Sequence, residues 1–205
     1  ILFLEGIPIV ARTIRAFDQP DIFSQIIVVV PEGDIEYCRE VIRPYCRLDI
    51  LQLIEGGPAR RDSVFNGLQQ IREDIGLVCV HDGVRPLVSR TLITSILEGA
   101  ARCGAAIPGI AVTDTLKELN INETVHSTIS REKYRLVQTP QVFRRELIVE
   151  AYRQAFLSGV EATDDSYLLE RLDIRVKVLP GDPANIKITG PHDMLAASAY
   201  LKGGA

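Results

Sequence analysis

A three-layer α/β fold around a mainly parallel sheet is what the sequence predicts, on three observations. Short apolar runs, such as Ile26 to Val30, alternate with segments of helical periodicity through most of the length, as successive β-α-β units do. Two of these runs lead into loops rich in glycine, arginine and carboxylate, GGPARRDSVFNGL at Gly56 to Leu68 and VCVHDGVRP at Val78 to Pro86. Such loops, at the carboxyl ends of strands, are where a Rossmann-like sheet meets a phosphorylated ligand. The 205 residues, 46% of them hydrophobic, are enough for one domain with a substantial core.

In chain order, a helical pattern covers Pro8 to Phe17, and an apolar run makes a strand of Gln25 to Pro31. Helix Glu32 to Ile42, strand Leu48 to Glu55, helix Arg61 to Ile71 and strand Leu77 to His81 follow in the same rhythm. Ser89 stands as an N-cap before helix Arg90 to Cys103, and the apolar run Ala105 to Val112 is the next strand. Thr113 to Arg135 breaks the alternation: it is polar, rich in Thr, Asn and Glu, and flanked by extended apolar pieces. That pattern predicts a protruding β-hairpin, marginal alone and in need of a partner surface, with a solvent-exposed loop as the alternative. Helix Arg144 to Leu157, helix Asp164 to Arg171 behind Thr163, strand Arg175 to Leu179 and helix His192 to Leu201 opened by Pro191 complete the chain.

A net charge of −4 and a pI near 5.5 argue against a general nucleic-acid binder, so any phosphate binding falls to local basic clusters. Cys38, Cys46, Cys79 and Cys103 form no C-x-x-C pair, and with His81, His126 and His192 they give no zinc-ligand spacing. They read as thiols of a reducing cytoplasm. No apolar run approaches the roughly 20 residues that cross a bilayer, so no membrane association is expected.

Several residues carry chemical potential. Gly56 and Gly57 end a strand, where the lack of Cβ lets a base or ribose approach the main chain. Ser63 either donates to a nucleotide or caps the following helix, and Arg60 and Arg61 either supply charge there or are solvated. Asp82, at the carboxyl edge of the sheet, suits a divalent cation or a sugar hydroxyl, and Arg85 either orients it or neutralises phosphate. Lys187 lies between Ile186 and Ile188, so strand alternation turns it to the opposite face from theirs.

The blocks GG..R.DSV..GL and VHD..RP resemble the 2-C-methyl-D-erythritol 4-phosphate cytidylyltransferase family of the non-mevalonate isoprenoid pathway. VTDTLK at Val112, SREKYRLVQTPQVF at Ser130, ATDDS at Ala162 and NIKIT at Asn185 follow in the family's order, so the resemblance spans nearly the whole chain. It implies in-line attack by a sugar phosphate on the α-phosphorus of CTP, with magnesium carried mainly by the CTP phosphates and no metal cage in the protein. Because that nucleophile is already anionic, no base is required, and His81 reads as a hydrogen-bonded packing residue. The resemblance casts Lys187, Asp82 and Arg131 as catalytic, and Gly56, Gly57, Arg60, Ser63, Arg85, Thr115, Thr163 and Thr189 as substrate-binding. Arg131, with Thr115 and Lys117, belongs to an arm at 113–135 that embraces the second subunit of a homodimer, which makes each site composite.

Asp164 and Asp165 read as stabilising a helix start, and Gln138, Thr139, Pro140 and Gln141 as shaping a turn under the site. Gly83 departs mildly from the family's usual Ala. The chain begins at Ile1 within the family's opening pattern, after its first strand, its glycine-rich phosphate loop and a Pro-Lys-Gln turn. A vacant central position in the sheet is therefore expected, and a polypeptide without that loop is expected to be nearly inactive. Alternatives are a ribitol 5-phosphate cytidylyltransferase, a non-catalytic nucleotide-binding module and, more distantly, a nicotinamide dehydrogenase, for which no G-x-G-x-x-G follows a strand.

Overall fold

The computed structural model describes residues 1–47, 49–160, 162 and 164–203. Two short antiparallel strands, β1 (Phe3–Leu4) and β2 (Ile7–Pro8), turn through Glu5 and Gly6, both at positive φ. Then come α1 (Ile9–Phe17), β3 (Ile26–Val30), α2 (Ile35–Ile42), β4 (Leu51–Glu55), α3 (Arg60–Leu68) and β5 (Leu77–Val80). The next pair is α4 (Arg90–Cys103), N-capped by Ser89 Oγ accepting from Leu92 N at 3.2 Å, and β6 (Ala105–Ala111). A hairpin, β7 (Leu116–Leu119) and β8 (Val125–Ile129), projects before β9 (Arg135–Val137) and β10 (Gln141–Arg144). The chain closes with α5 (Arg145–Ser158), α6 (Asp165–Glu170), β11 (Lys177–Pro180) and α7 (Pro191–Gly203).

The sheet is mixed rather than mainly parallel. β6 pairs β11 in parallel, but β10 lies between β6 and β5 and runs antiparallel to both. The physical reason is the excursion at 113–135. After it the chain re-enters as β9, antiparallel to β6, and continues into β10 without the crossover helix that a parallel neighbour requires. β5 and β6 still point the same way, so their carboxyl ends share one edge.

Alternation along each strand builds two cores. Val78, Ala105, Ile107 and Phe143 pack with Leu68 of α3, Ile148 and Tyr152 of α5, and Leu168 and Leu169 of α6. Their strand neighbours Leu77, Cys79, Ala106 and Val142 face the other way, onto Phe17 of α1 and Leu92, Ile93 and Ile96 of α4. Ile93, Ile96, Val142 and Phe143 are fully buried. Each such side chain contributes about 1.5–3 kcal/mol by leaving water.

Among the described residues β3 pairs with β4 alone, in parallel from Ile26 opposite Leu51 to Val30 opposite Glu55. No ladder among the described residues joins β3 to β5, although Ile26 shares a core cluster with Leu77 and Cys79. The hairpin likewise pairs only with itself, and it exposes Leu119, Ile121 and Val125. Among the described residues no helix is long and apolar enough to cross a membrane. The four cysteines are free thiols.

Candidate active site

The loop leaving β4 folds onto the helix it feeds. A Cβ on Gly56 would meet Ser63 Oγ at 2.6 Å, and one on Gly57 would meet Asp62 Cβ at 2.5 Å. The crowding that demands glycine thus comes from the first turn of α3. Ser63 sits inside that turn, not at the N-cap, and its Oγ accepts from Gly57 N at 3.2 Å. The N-cap is Ala59, whose side chain has no acceptor, so Asp62 Oδ2 accepts from its backbone N–H at 3.1 Å. Of the two arginines, Arg61 is used in packing: it donates to Val160 O at 2.8 Å and lies 4.4 Å over the Phe156 ring. Arg60 points elsewhere.

Beyond the carboxyl end of β5, Asp82 gathers cations from three parts of the chain. Arg85 Nε donates to its Oδ2 at 3.2 Å, Lys187 Nζ lies 3.4 Å from the same oxygen, and Arg60 Nε lies 3.9 Å from Oδ1. Burial works to raise the Asp82 pKa, but Lys187, Arg60 and the Arg85 hydrogen bond outweigh it, holding the carboxyl below its ordinary range. Lys187 and Arg60 remain 44% and 40% exposed in their side chains, so their charge is open to a ligand while that of Asp82 is largely enclosed.

The loop that carries Asp82 is tied at both ends. His81 Nε2 meets Arg85 O at 3.0 Å, and because a carbonyl can only accept, that nitrogen carries the proton. Nδ1 then accepts from the Thr139 hydroxyl at 3.1 Å, and Thr139 Oγ1 accepts from Asp82 N at 3.0 Å. Burial pushes the His81 pKa down to about 4, against the opposing effect of the Arg85 carbonyl. Both ring nitrogens are engaged and the ring is neutral, an arrangement of a packing residue. Thr13 of α1 adds a bond to Gly83 O at 2.9 Å.

Residues 185–189 form no strand, unlike the strand end expected for Lys187. Ile188 N bonds Val84 O at 2.9 Å instead, while Ile186 and Ile188 enter the core and Lys187 faces out. Asn185 is fully buried: its backbone O accepts from Arg85 Nη1 at 2.8 Å, and its Nδ2 donates to Thr139 O at 2.7 Å. Gln138 braces the same turn by donating to Asp182 O at 2.8 Å. The brackets under Asp82 are thus Thr139, Asn185 and Gln138, with the QTPQ segment giving two of them and opening β10.

Other expected residues lie apart from Asp82. Thr189 heads α7, its hydroxyl and N–H both donating to Asp193 Oδ2 at 2.8 Å. Thr115 is exposed at the root of the arm, and Arg131 is exposed in a 3₁₀ turn, where its guanidinium donates to Thr113 O. Among the described residues Arg131 makes no hydrogen bond or ion pair with the Asp82 group. The expected roles of Thr163 fall outside the described residues.

Asp164 stabilises the start of α6 as expected, but it does so as the N-cap itself, accepting from Tyr167 N at 3.0 Å, so the helix begins one residue later than the sequence reading placed it. Asp165 does more than the role expected of it. It stands in the first turn of α6, where a carboxylate favours the helix start, but it is also fully buried and bonds Arg60 and Tyr152 across the core. The signal in the sequence is the Asp pair itself, since only one of two successive residues can occupy an N-cap. Among the described residues no cluster of three or more His, Cys, Asp or Glu side chains could hold a metal.

Comparison with known proteins follows the same lines. The family model described as 2-C-methyl-D-erythritol 4-phosphate cytidylyltransferase matches residues 1–203. The protein of that name from Syntrophus aciditrophicus is 40% identical over 97% of this chain and 86% of its own. The one from Desulforamulus reducens is 44% identical over 98% and 86%. Among solved structures, the 4-diphosphocytidyl-2C-methyl-D-erythritol synthase of Anaerococcus prevotii superposes with a TM-score of 0.89 at 30% identity, over 98% of this chain and 88% of that one. The cytidylyltransferase of Thermus thermophilus gives 0.83 at 34% identity, over 98% and 92%. With the loops after β4 and β5 converging on Asp82 and a family match over residues 1–203, the chain belongs to the 2-C-methyl-D-erythritol 4-phosphate cytidylyltransferase family.

Proposed function

We infer that the protein is a cytidylyltransferase, built as one nucleotidyltransferase unit, that joins CTP and 2-C-methyl-D-erythritol 4-phosphate. The products are 4-diphosphocytidyl-2-C-methyl-D-erythritol and pyrophosphate, in non-mevalonate isoprenoid biosynthesis. The observation that carries this reading is the ionised Asp82 ringed by Arg60, Arg85 and Lys187, in a chain that matches the family over residues 1–203.

A phosphate oxygen of the polyol substrate forms a bond to the α-phosphorus of CTP, while the bond from that phosphorus to the bridging oxygen breaks and pyrophosphate departs with the electron pair. No proton has to move. The protein's task is to align two anions and absorb charge as it grows, which oriented cations accomplish by preorganisation. Lys187 and Arg60 have the exposure for that task, and Asp82 is suited to a polyol hydroxyl with Arg85 fixing its orientation. Gly56, Gly57 and Ser63 offer the nucleotide a compact turn, and Thr163 and Thr189 are assigned to substrate phosphate or hydroxyl contacts. Asp82 is already shared by Arg85 and Lys187, and among the described residues no cluster of three His, Cys, Asp or Glu side chains surrounds it. Magnesium is assigned to the triphosphate of CTP, where it would neutralise charge.

Arg131 and Thr115 are proposed to serve the neighbouring subunit's site. The support is a two-stranded arm that, among the described residues, has no sheet partner and that exposes Leu119, Ile121 and Val125. A cytoplasmic setting accords with four free thiols.

Pyrophosphate release by the full-length protein with CTP and magnesium, in parallel with methylerythritol phosphate and with ribitol 5-phosphate, tests the reading. Release with the first substrate alone is expected. Release with ribitol 5-phosphate alone would transfer the enzyme to another pathway, and silence with both would leave a binding module. In the active protein Lys187→Ala should lower turnover by about 100 to 1,000-fold. Its melting temperature should hardly change, since Lys187 is exposed; normal specific activity with a large thermal loss would reverse that assignment.

A further inference from the structure

Arg60 is held from behind. Its Nη1 and Nη2 donate to Asp165 Oδ1 at 2.9 Å and Oδ2 at 2.7 Å, and the Tyr152 hydroxyl donates to the same Oδ1. Asp165 is fully buried, whereas the Arg60 side chain is 40% exposed with its Nε edge turned to Asp82. The guanidinium therefore has a fixed back and an open front. Burying a carboxylate is expensive even when it is paired, and an apolar replacement often serves stability equally well. A pair that served stability alone would have no reason to leave one edge of its cation open beside a second carboxylate.

Three helices meet at this pair: Arg60 opens α3, Tyr152 lies on α5 and Asp165 opens α6. The start of α6 is itself pinned to β10. Gln141 Nε2 donates to Asp164 Oδ2 at 2.8 Å, and Gln141 Oε1 accepts from Ser166 N at 3.0 Å. The position of Asp165 is thus set by the sheet and the helix, before any ligand arrives.

We propose that Asp165 and Tyr152 are positioning residues for Arg60, fixing its guanidinium so that the free edge meets the anionic substrate beside Asp82. An arginine anchored in advance surrenders little rotamer freedom when the substrate binds, and its fork faces the charge that develops during transfer. The proposal rests on the cytidylyl-transfer reading of the site and adds two buried residues to it. Neither touches substrate.

The test is a pair of double-mutant cycles. Rates with CTP and methylerythritol phosphate are measured for the wild type, Asp165→Asn, Tyr152→Phe, Arg60→Ala and the two doubles that combine each with Arg60→Ala. With Arg60 present, Asp165→Asn should lower kcat/KM by about 10 to 100-fold, mostly in kcat, and Tyr152→Phe by less. In the Arg60→Ala background neither change should matter. Equal losses with and without Arg60 would overturn the proposal in favour of a general structural role. Should Asp165→Asn fail to fold, the Tyr152→Phe cycle, which deletes a single oxygen, decides alone. A wild type that releases no pyrophosphate would strike the reaction assigned above. The same cycles, read as calorimetric affinity for methylerythritol phosphate, would then decide the positioning role: coupling to Arg60 sustains it, and additivity removes it.

Discussion

His81 has both ring nitrogens in use, so its titration is a matter of stability rather than of chemistry. Its pKa in the fold is about 4, below the roughly 6.5 of an unfolded histidine, so between these values the unfolded chain binds the extra proton. Stability from the neutral ring is complete above about pH 6.5 and is lost as the pH falls toward 4. By that difference the loss amounts to about 3 kcal/mol. Asp82 titrates lower still: its depressed pKa gives stability that is present above the carboxylate range and lost only as the pH falls through it. Urea unfolding between pH 7 and 4.5 should show the His81 loss, and His81→Gln should flatten the slope. An unchanged slope in that variant would assign the acid sensitivity to other groups. The preference for a packing histidine followed from its place at the inner end of an apolar run. The partner of Asp165 was not legible, because 105 residues separate it from Arg60 and no local periodicity links them.

The first turn of α3 is an element built against its own entry loop, and its tolerance is correspondingly small. Gly57→Ala would press a methyl group on Asp62 Cβ, a backbone-anchored atom with little room to retreat. That change should cost about 1–3 kcal/mol, seen as a lower urea midpoint with the slope preserved. Gly83→Ala, which meets nothing within 4 Å, is the matched control and should be nearly neutral. An equal loss in both would mean that chain freedom, not crowding, governs these loops. All seven helices and the five expected strands were readable from apolar rhythm and start signals. β10 was not, since its QVFR follows a proline, carries a buried Gln at its first position and reads as the end of a turn. With β9, also antiparallel to β6, that strand converts the sheet from mainly parallel to mixed.

For the molecule entire, the arm is the feature with the largest consequence for behaviour in solution. Ultracentrifugation should find a dimer, and Val125→Glu on the arm should shift it toward monomer. If Arg131 serves the neighbouring site, specific activity should fall with dilution for that variant first; full activity in a proven monomer would confine each site to one chain. The convergence of residues 60, 82 and 187 was legible only through ordered motif blocks, because contacts of that sequence separation leave no periodic trace. Among the described residues β7 and β8 of the hairpin pair with each other and with no third strand, and a two-stranded ribbon is marginal alone. In an isolated chain its amides open far more often than those of β6 and β10, so a shared surface would turn the ribbon's protection against exchange into a function of protein concentration.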